Sequence, residues 1–116
     1  MKSIKNIIPF TDELPSQYAD RLGVYYTSTV NNDHKKENGQ YFTPVQIADF
    51  MGSMSNLDKE DIRILDPGAG TSILSCAFIE NMIKKINSLK KIELVVYETD
   101  TMLILYTCMV LDYLKT

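Results

Sequence analysis

The sequence predicts an α/β fold. Ile62 to Leu65 is a short apolar run closed by an acid, Asp66. Gly68-Ala69-Gly70 follows at once, and a helical apolar pattern starts at Ser72. A second apolar run, Ile92 to Tyr97, ends in Glu98 and leads into another helical stretch. The order is strand, helix, strand, helix, with a glycine turn after the first strand, as in a parallel sheet covered by helices. The connection between such strands is expected to be right-handed.

A chain of 116 residues has room for one domain, and its 45% hydrophobic content is that of a globular protein. A net charge of −3 and the lack of a basic stripe do not mark this segment as a nucleic-acid surface. Lys84, Lys85, Lys90 and Lys91 cluster near one helix end. They read as a solvated face that pairs with the helix dipole, with a phosphate contact as the alternative. Cys76 and Cys108 lie in apolar helical patterns and read as buried free thiols of a reducing compartment. The single histidine, His34, has no partner for a metal site. Met1 to Phe10 lacks a signal-peptide core, and no apolar run is long enough to span a membrane. The expected compartment is the cytoplasm, with no membrane partner.

Residues 1 to 11 read as an irregular lead-in that stops near Pro9. From Ser16, Tyr18, Leu22, Tyr25, Tyr26 and Val30 follow helical spacing, weakened by Gly23. The tyrosine pair reads as packing rather than as a stacking platform for bases. Residues 31 to 38 form a polar loop. In Gly39-Gln40-Tyr41-Phe42-Thr43-Pro44, Thr43 suits an N-cap, Pro44 the first helical position, and Gln46 a capping box. Ile47, Phe50, Met51 and Met54 then form the expected apolar helical face. That stretch is either a capped helix with two aromatics before it or a holder for a ligand carboxylate.

The first strand is Ile62 to Leu65 and the second Ile92 to Tyr97. The helix between them uses Ile73, Leu74, Ala77, Phe78, Met82, Ile83 and Ile86. Asp100 caps a last helix from Thr101 to about Lys115. That helix is apolar on nearly every face and expects cover on all sides. Two strands make a sheet near the lower limit of independent stability. The chain therefore reads as the opening part of a larger domain, with self-association through the last helix as another outlet.

Glycine turns between strand and helix admit close approach of a ligand. The dinucleotide fingerprint fails here, because Ile73 stands where its third glycine belongs. No lysine follows Gly70, so a phosphate loop fails too. Asp66 would repel a pyrophosphate but accept an ammonium, and Glu98 suits a ribose diol. S-adenosylmethionine carries both groups and a positive sulfonium. The alternative for Asp66 is a turn residue that accepts backbone N–H groups, and for Glu98 a solvent-facing acid.

These residues resemble a known family. Asp66-Pro67-Gly68-Ala69-Gly70-Thr71 resembles the cofactor motif of amino-group DNA methyltransferases, which methylate adenine N6 or cytosine N4. Gly39 to Pro44 resembles their N-terminal motif, and Tyr97-Glu98-Thr99-Asp100 their second motif. The order is that of the γ arrangement of type I and type IIG restriction–modification enzymes. The resemblance implies a partial Rossmann-like S-adenosylmethionine-dependent methyltransferase fold with N-terminal helices. Residues 1–38 would be a helical lead-in and 39–116 the first part of the cofactor domain.

The resemblance also implies roles. Tyr41, Thr43 and Pro44 would border the methionine end of S-adenosylmethionine, with Asp66, Gly68 and Gly70 beside them. Glu98 would accept the ribose hydroxyls, and Thr99 would lie beside the adenine. Ser72 departs from the family, which often has glycine there. The family's Asn/Asp-Pro-Pro-Tyr/Phe motif is missing, since prolines stand only at 9, 15, 44 and 67. The expectation is an N-terminal piece of a DNA adenine-N6 methyltransferase that binds cofactor and is inactive alone, with DNA met through the parent enzyme. A methyltransferase for RNA, protein or a small molecule, or a non-enzymatic interaction module, are the alternatives.

Overall fold

A computed structural model describes residues 7–29, 43–55, 59–86 and 89–115. Within them the order is α1 (Pro15–Thr29), α2 (Val45–Ser53), β1 (Asp61–Asp66), α3 (Ile73–Lys85), β2 (Lys91–Val96) and α4 (Thr101–Leu114). The strands pair in parallel, from Asp61 opposite Lys91 to Asp66 opposite Val96. This is the expected small α/β arrangement, and each strand starts one residue earlier than its apolar run suggests. Val30, residues 31–38 and the stretch from Gly39 to Phe42, including Tyr41, lie outside the described residues.

Alternation along β1 decides what the sheet covers. Ile62 and Ile64 meet Phe78 and Met82 of α3 and Ile86 just past its end. The other face carries Arg63, Leu65, Glu93 and Val95, and Leu65 remains 63% exposed. Arg63 and Glu93 approach to 3.5 Å on that face, where both are solvated and hold little energy.

The main core lies between helices. Tyr18, Ala19, Leu22 and Tyr26 of α1 meet Ile73, Cys76 and Ala77 of α3 and Leu103, Tyr106 and Val110 of α4. Tyr106 takes Tyr25 and Tyr26 edge-on, at centroid distances of 6.2 and 6.1 Å. The tyrosine pair is thus packing, the geometry aromatic quadrupoles favour. Polar ties join α1 to its neighbours. Ser16 donates its N–H and its hydroxyl to Glu80 of α3, each at 2.7 Å. An acid at a helix N-terminus satisfies donors that have no partner within the helix.

α2 departs from expectation in its cap. It begins at Val45, with extended Pro44 (φ −59°, ψ 148°) at its N-cap and no side-chain cap hydrogen bond, so the Thr43–Gln46 capping box does not form. The extended proline starts the hydrogen-bond ladder one residue later: its carbonyl accepts from the Ala48 N–H at 2.9 Å. Thr43 is thereby left one residue too far upstream to cap. The expected apolar face of Ile47, Phe50, Met51 and Met54 turns outward, with Phe50 65% exposed, while Ala48 and Gly52 are buried. The reason is the closeness of α2 and α3. A Cβ on Gly52 would lie 2.9 Å from the Ala77 carbonyl oxygen, so only small residues fit the contact. Asn81 seals it by donating to Asp49 Oδ1 at 3.0 Å and to the Ala77 carbonyl at 2.8 Å.

α4 keeps its expected cap: Asp100 accepts from the N–H groups of Met102 and Leu103 at 2.9 and 3.2 Å. Its apolar surface resolves into a buried stripe of Leu103, Tyr106, Thr107 and Val110, while Met102, Ile104 and Leu105 are exposed. Cys108 falls off that stripe and is exposed, which corrects the expectation of a buried thiol. Cys76 is buried. Burial, and then the charges of Glu80 and Asp66, push its thiol well up, which keeps it protonated and unreactive. Among the described residues no helix is long and apolar enough to cross a membrane.

Candidate functional site

The glycine turn sits where β1 ends, and β2 ends beside it. Pairing continues past the strands: the Tyr97 N–H donates to the Asp66 carbonyl at 2.9 Å, and the Ala69 N–H to the Tyr97 carbonyl at 3.1 Å. These bonds lay the turn against the segment that leads to Glu98. Gly70 takes a left-handed φ of 58°, which a glycine adopts without steric cost. Gly68 differs, because its φ is not positive and a Cβ there would meet nothing within 4 Å. Nothing in the described chain demands glycine at 68. Its bare backbone borders open space, as close ligand approach requires.

Glu98 is joined to the turn. Its Oε1 accepts from the Gly70 N–H at 2.9 Å. Its Oε2 accepts from the N–H groups of Thr99 and Asp100 at 2.9 and 3.0 Å. Glu98 is therefore not a free solvent-facing acid. Asp66, half-buried, accepts from the Ser75 hydroxyl on α3 through Oδ2 at 2.7 Å. That bond comes from a side chain rather than from the backbone N–H groups of the turn-residue alternative. Among the described residues its other oxygen takes no hydrogen bond, so it can receive a donor such as an ammonium.

Thr43 and Pro44 come to a different part of the turn. With Asp20 and Thr27 of α1 and with Thr71 and Ile73 they line a cavity of about 320 Å³. Asp66 instead lines a depression with Ser75, Leu74 and Met51. The fold therefore unites Gly70, Glu98 and Thr99 directly, and sets Asp66 and the Thr43–Pro44 pair on two sides of the same turn. Tyr41 lies outside the described residues. A further cavity of about 460 Å³ lies between α3, β2 and α4. It is lined by Ile92 and Leu94 with Lys90, Lys91 and Lys115, at the opposite end of β2 from Glu98.

Ser72 takes a backbone conformation that suits glycine better than serine. Its φ is 69°, its side chain is fully buried, and its hydroxyl has no partner among the described residues. The departure at Ser72 acts through backbone conformation and a stranded hydroxyl.

Sequence reading overlooked three contributors. Thr71 donates its hydroxyl to the Ala19 carbonyl of α1 at 2.8 Å, tying the turn to a helix that carries no motif. Tyr26 of α1 donates to Asp100 Oδ2 at 2.7 Å, beside the cap of α4. Thr107 of α4 donates to the Gly70 carbonyl. Thr71 stands in the glycine motif and Tyr26 in the helical spacing of α1, neither marked for this role, and Thr107 left its trace as a polar residue four positions after Leu103 in an otherwise apolar run.

Fold and turn together define an α/β segment with a glycine-rich turn and acids closing two adjacent parallel strands. The chain belongs to the N-6 DNA Methylase family, whose model matches residues 18–111. It is also 38% identical over 71 residues to the type II methyltransferase M.BsuBI of Bacillus subtilis. That alignment takes in 60% of this chain and only 14% of the relative's length. No solved structure matches.

Proposed function

We propose that this chain is the S-adenosylmethionine-binding N-terminal portion of a DNA adenine-N6 methyltransferase from a restriction–modification system. Residues 39–116 open its Rossmann-like cofactor domain, with 1–38 as lead-in, and the chain does not methylate DNA by itself. The observation that carries the reading is the Glu98 carboxylate bonded to the Gly70 N–H, which puts acid and glycine turn at one end of the sheet. Family membership supports the reaction class.

The residues fit the cofactor in chemistry. Asp66 has a carboxylate oxygen for the ammonium, Gly68 opens the backbone to close contact, and Glu98 offers acceptors for ribose hydroxyls. Gly70 gives the turn its left-handed bend, Thr99 stands next to Glu98 for the adenine, and Thr43 and Pro44, with Tyr41 upstream in sequence, would border the methionine end from the side of the turn opposite Asp66. The cofactor supplies the methyl group when bound. The chain's own residues bind and orient it. The Pro-Pro motif that would hold the target amino group is not in this sequence, which supports inactivity alone. DNA is then met through the parent enzyme, in the cytoplasm.

The test is calorimetric titration with S-adenosylmethionine of the chain and of its Glu98→Ala and Glu98→Gln variants, beside a methyl-transfer assay on DNA. Removing a charged acceptor should weaken binding about 10- to 100-fold. The Gln variant keeps one acceptor for the backbone, so it separates ligand loss from turn collapse. No binding by the unmodified chain would overturn the cofactor reading for this segment, and detectable methyl transfer would overturn its inactivity.

A second reading, an interaction module, draws on the outward Ile47, Phe50, Met51 and Met54 of α2 and the outward Ile104 and Leu105 of α4. Association with a second copy, without cofactor affinity, would favour it.

A further inference from the structure

Gly70 is held at both ends. Its N–H donates to Glu98 Oε1 at 2.9 Å, and its carbonyl accepts from the Thr107 hydroxyl. The two partners come from outside the turn, one just past β2 and one within α4. Thr107 is 4% exposed and is the polar member of α4's buried stripe. A hydroxyl so placed needs a partner, and the turn supplies it.

The Glu98 side of this grip is shared. Its carboxylate accepts three backbone N–H groups, from Gly70, Thr99 and Asp100. A carboxylate offers about four acceptor sites, and a diol needs two of them. A diol can therefore settle on Glu98 only as at least one backbone N–H lets go. Gly70 is the one donor among the three that belongs to the turn.

We infer that Thr107 is a positioning residue: it holds the Gly70 carbonyl so that the turn keeps its left-handed bend while Glu98 changes from backbone to ligand. Thr107 acts through Gly70 and touches no ligand itself. The ligand half of the inference rests on the proposed role of Glu98, whereas the grip on Gly70 does not.

The experiment follows backbone amide exchange by NMR in the full 116-residue chain. Wild type, Thr107→Val and Thr107→Ser are compared with and without S-adenosylmethionine. Valine keeps the volume and removes the donor; serine keeps the donor. In Thr107→Val, exchange at Gly70 should speed about tenfold while Leu103 and Val110 amides in the same helix hold their rates. Affinity for S-adenosylmethionine should fall about tenfold as well, and serine should restore both. Should the valine variant fail to fold, Thr107→Ala gives the same readout at Gly70. Unchanged exchange at Gly70 would overturn the inference, and so would a loss that serine does not repair. A wild-type chain without cofactor affinity would remove the ligand half together with the proposed function, and exchange at Gly70 would still decide the grip.

Discussion

The glycine turn and the outer face of α2 are finished to different degrees. Around the turn almost every polar group has a partner. Gly70 is bonded at both ends, Thr71 reaches Ala19, Asp66 holds Ser75, and Tyr26 holds Asp100. Behind it Tyr26, Tyr106, Leu103 and Val110 are fully buried. On α2 Ile47, Phe50 and Met51 look outward, Ala48 and Gly52 are buried, and Val45 is half-buried against the core. Leu65 on the open sheet face and Leu74 at the start of α3 extend that apolar surface. The difference teaches where this segment's stability resides. The three-helix core and the turn hold each other in place, while α2 and the open sheet face present apolar surface that gains free energy once covered.

The largest expected effect lies on the finished side. Tyr106→Ala removes a ring that meets two others and should cost about 3–5 kcal/mol. Since a chain of this size holds only about 5–15 kcal/mol in all, denaturant titration should show a large drop in midpoint. A cost under about 1 kcal/mol would mean that the core between α1 and α4 is not the source of stability.

Ser72→Gly tests the one flaw in the finished side. It relieves a left-handed conformation that costs an L-residue about 1–2 kcal/mol and removes a buried hydroxyl that has no partner among the described residues. Glycine's extra freedom in the unfolded chain offsets part of this, so the expected net gain is about 1 kcal/mol, read as a higher melting temperature. A lower melting temperature would show that the serine hydroxyl is satisfied after all.

The smallest effect on stability should come from the unfinished side. Phe50→Ser ought to shift unfolding free energy by no more than about 0.5 kcal/mol, because the ring is already in water. The same change should weaken any self-association, measured by sedimentation velocity over a range of concentrations. A strong loss of stability instead would place Phe50 in a contact and erase the contrast between the two regions.

Much of this was legible in the sequence. Both strands, the turn, the start of α3 after Ser72 and the Asp100 cap follow from local patterns: apolar runs, glycines and a capping acid. The acids were legible because each closes a strand. The orientation of α2 was not. Its apolar periodicity is real, but periodicity names a face without saying which way it turns. The Gly52–Ala77 contact decided that, through closeness a larger side chain would block. Cys108 was misjudged for a similar reason, since a helix apolar all round hides which stripe is buried. The left-handed backbone at Ser72 also left no local signal, because serine is an ordinary residue to find before a helix.

By itself the sequence determined the order of elements, the position of the glycine turn and the acids that border it, because these depend on neighbours along the chain. Tertiary structure alone decided that α1 braces the turn through Ala19, that Thr107 holds the Gly70 carbonyl, and that α2 faces outward. The physical reason is distance along the chain. Thr71 and Ala19 lie 52 positions apart and Thr107 and Gly70 lie 37 apart, and bonds of that reach appear only once the helices pack.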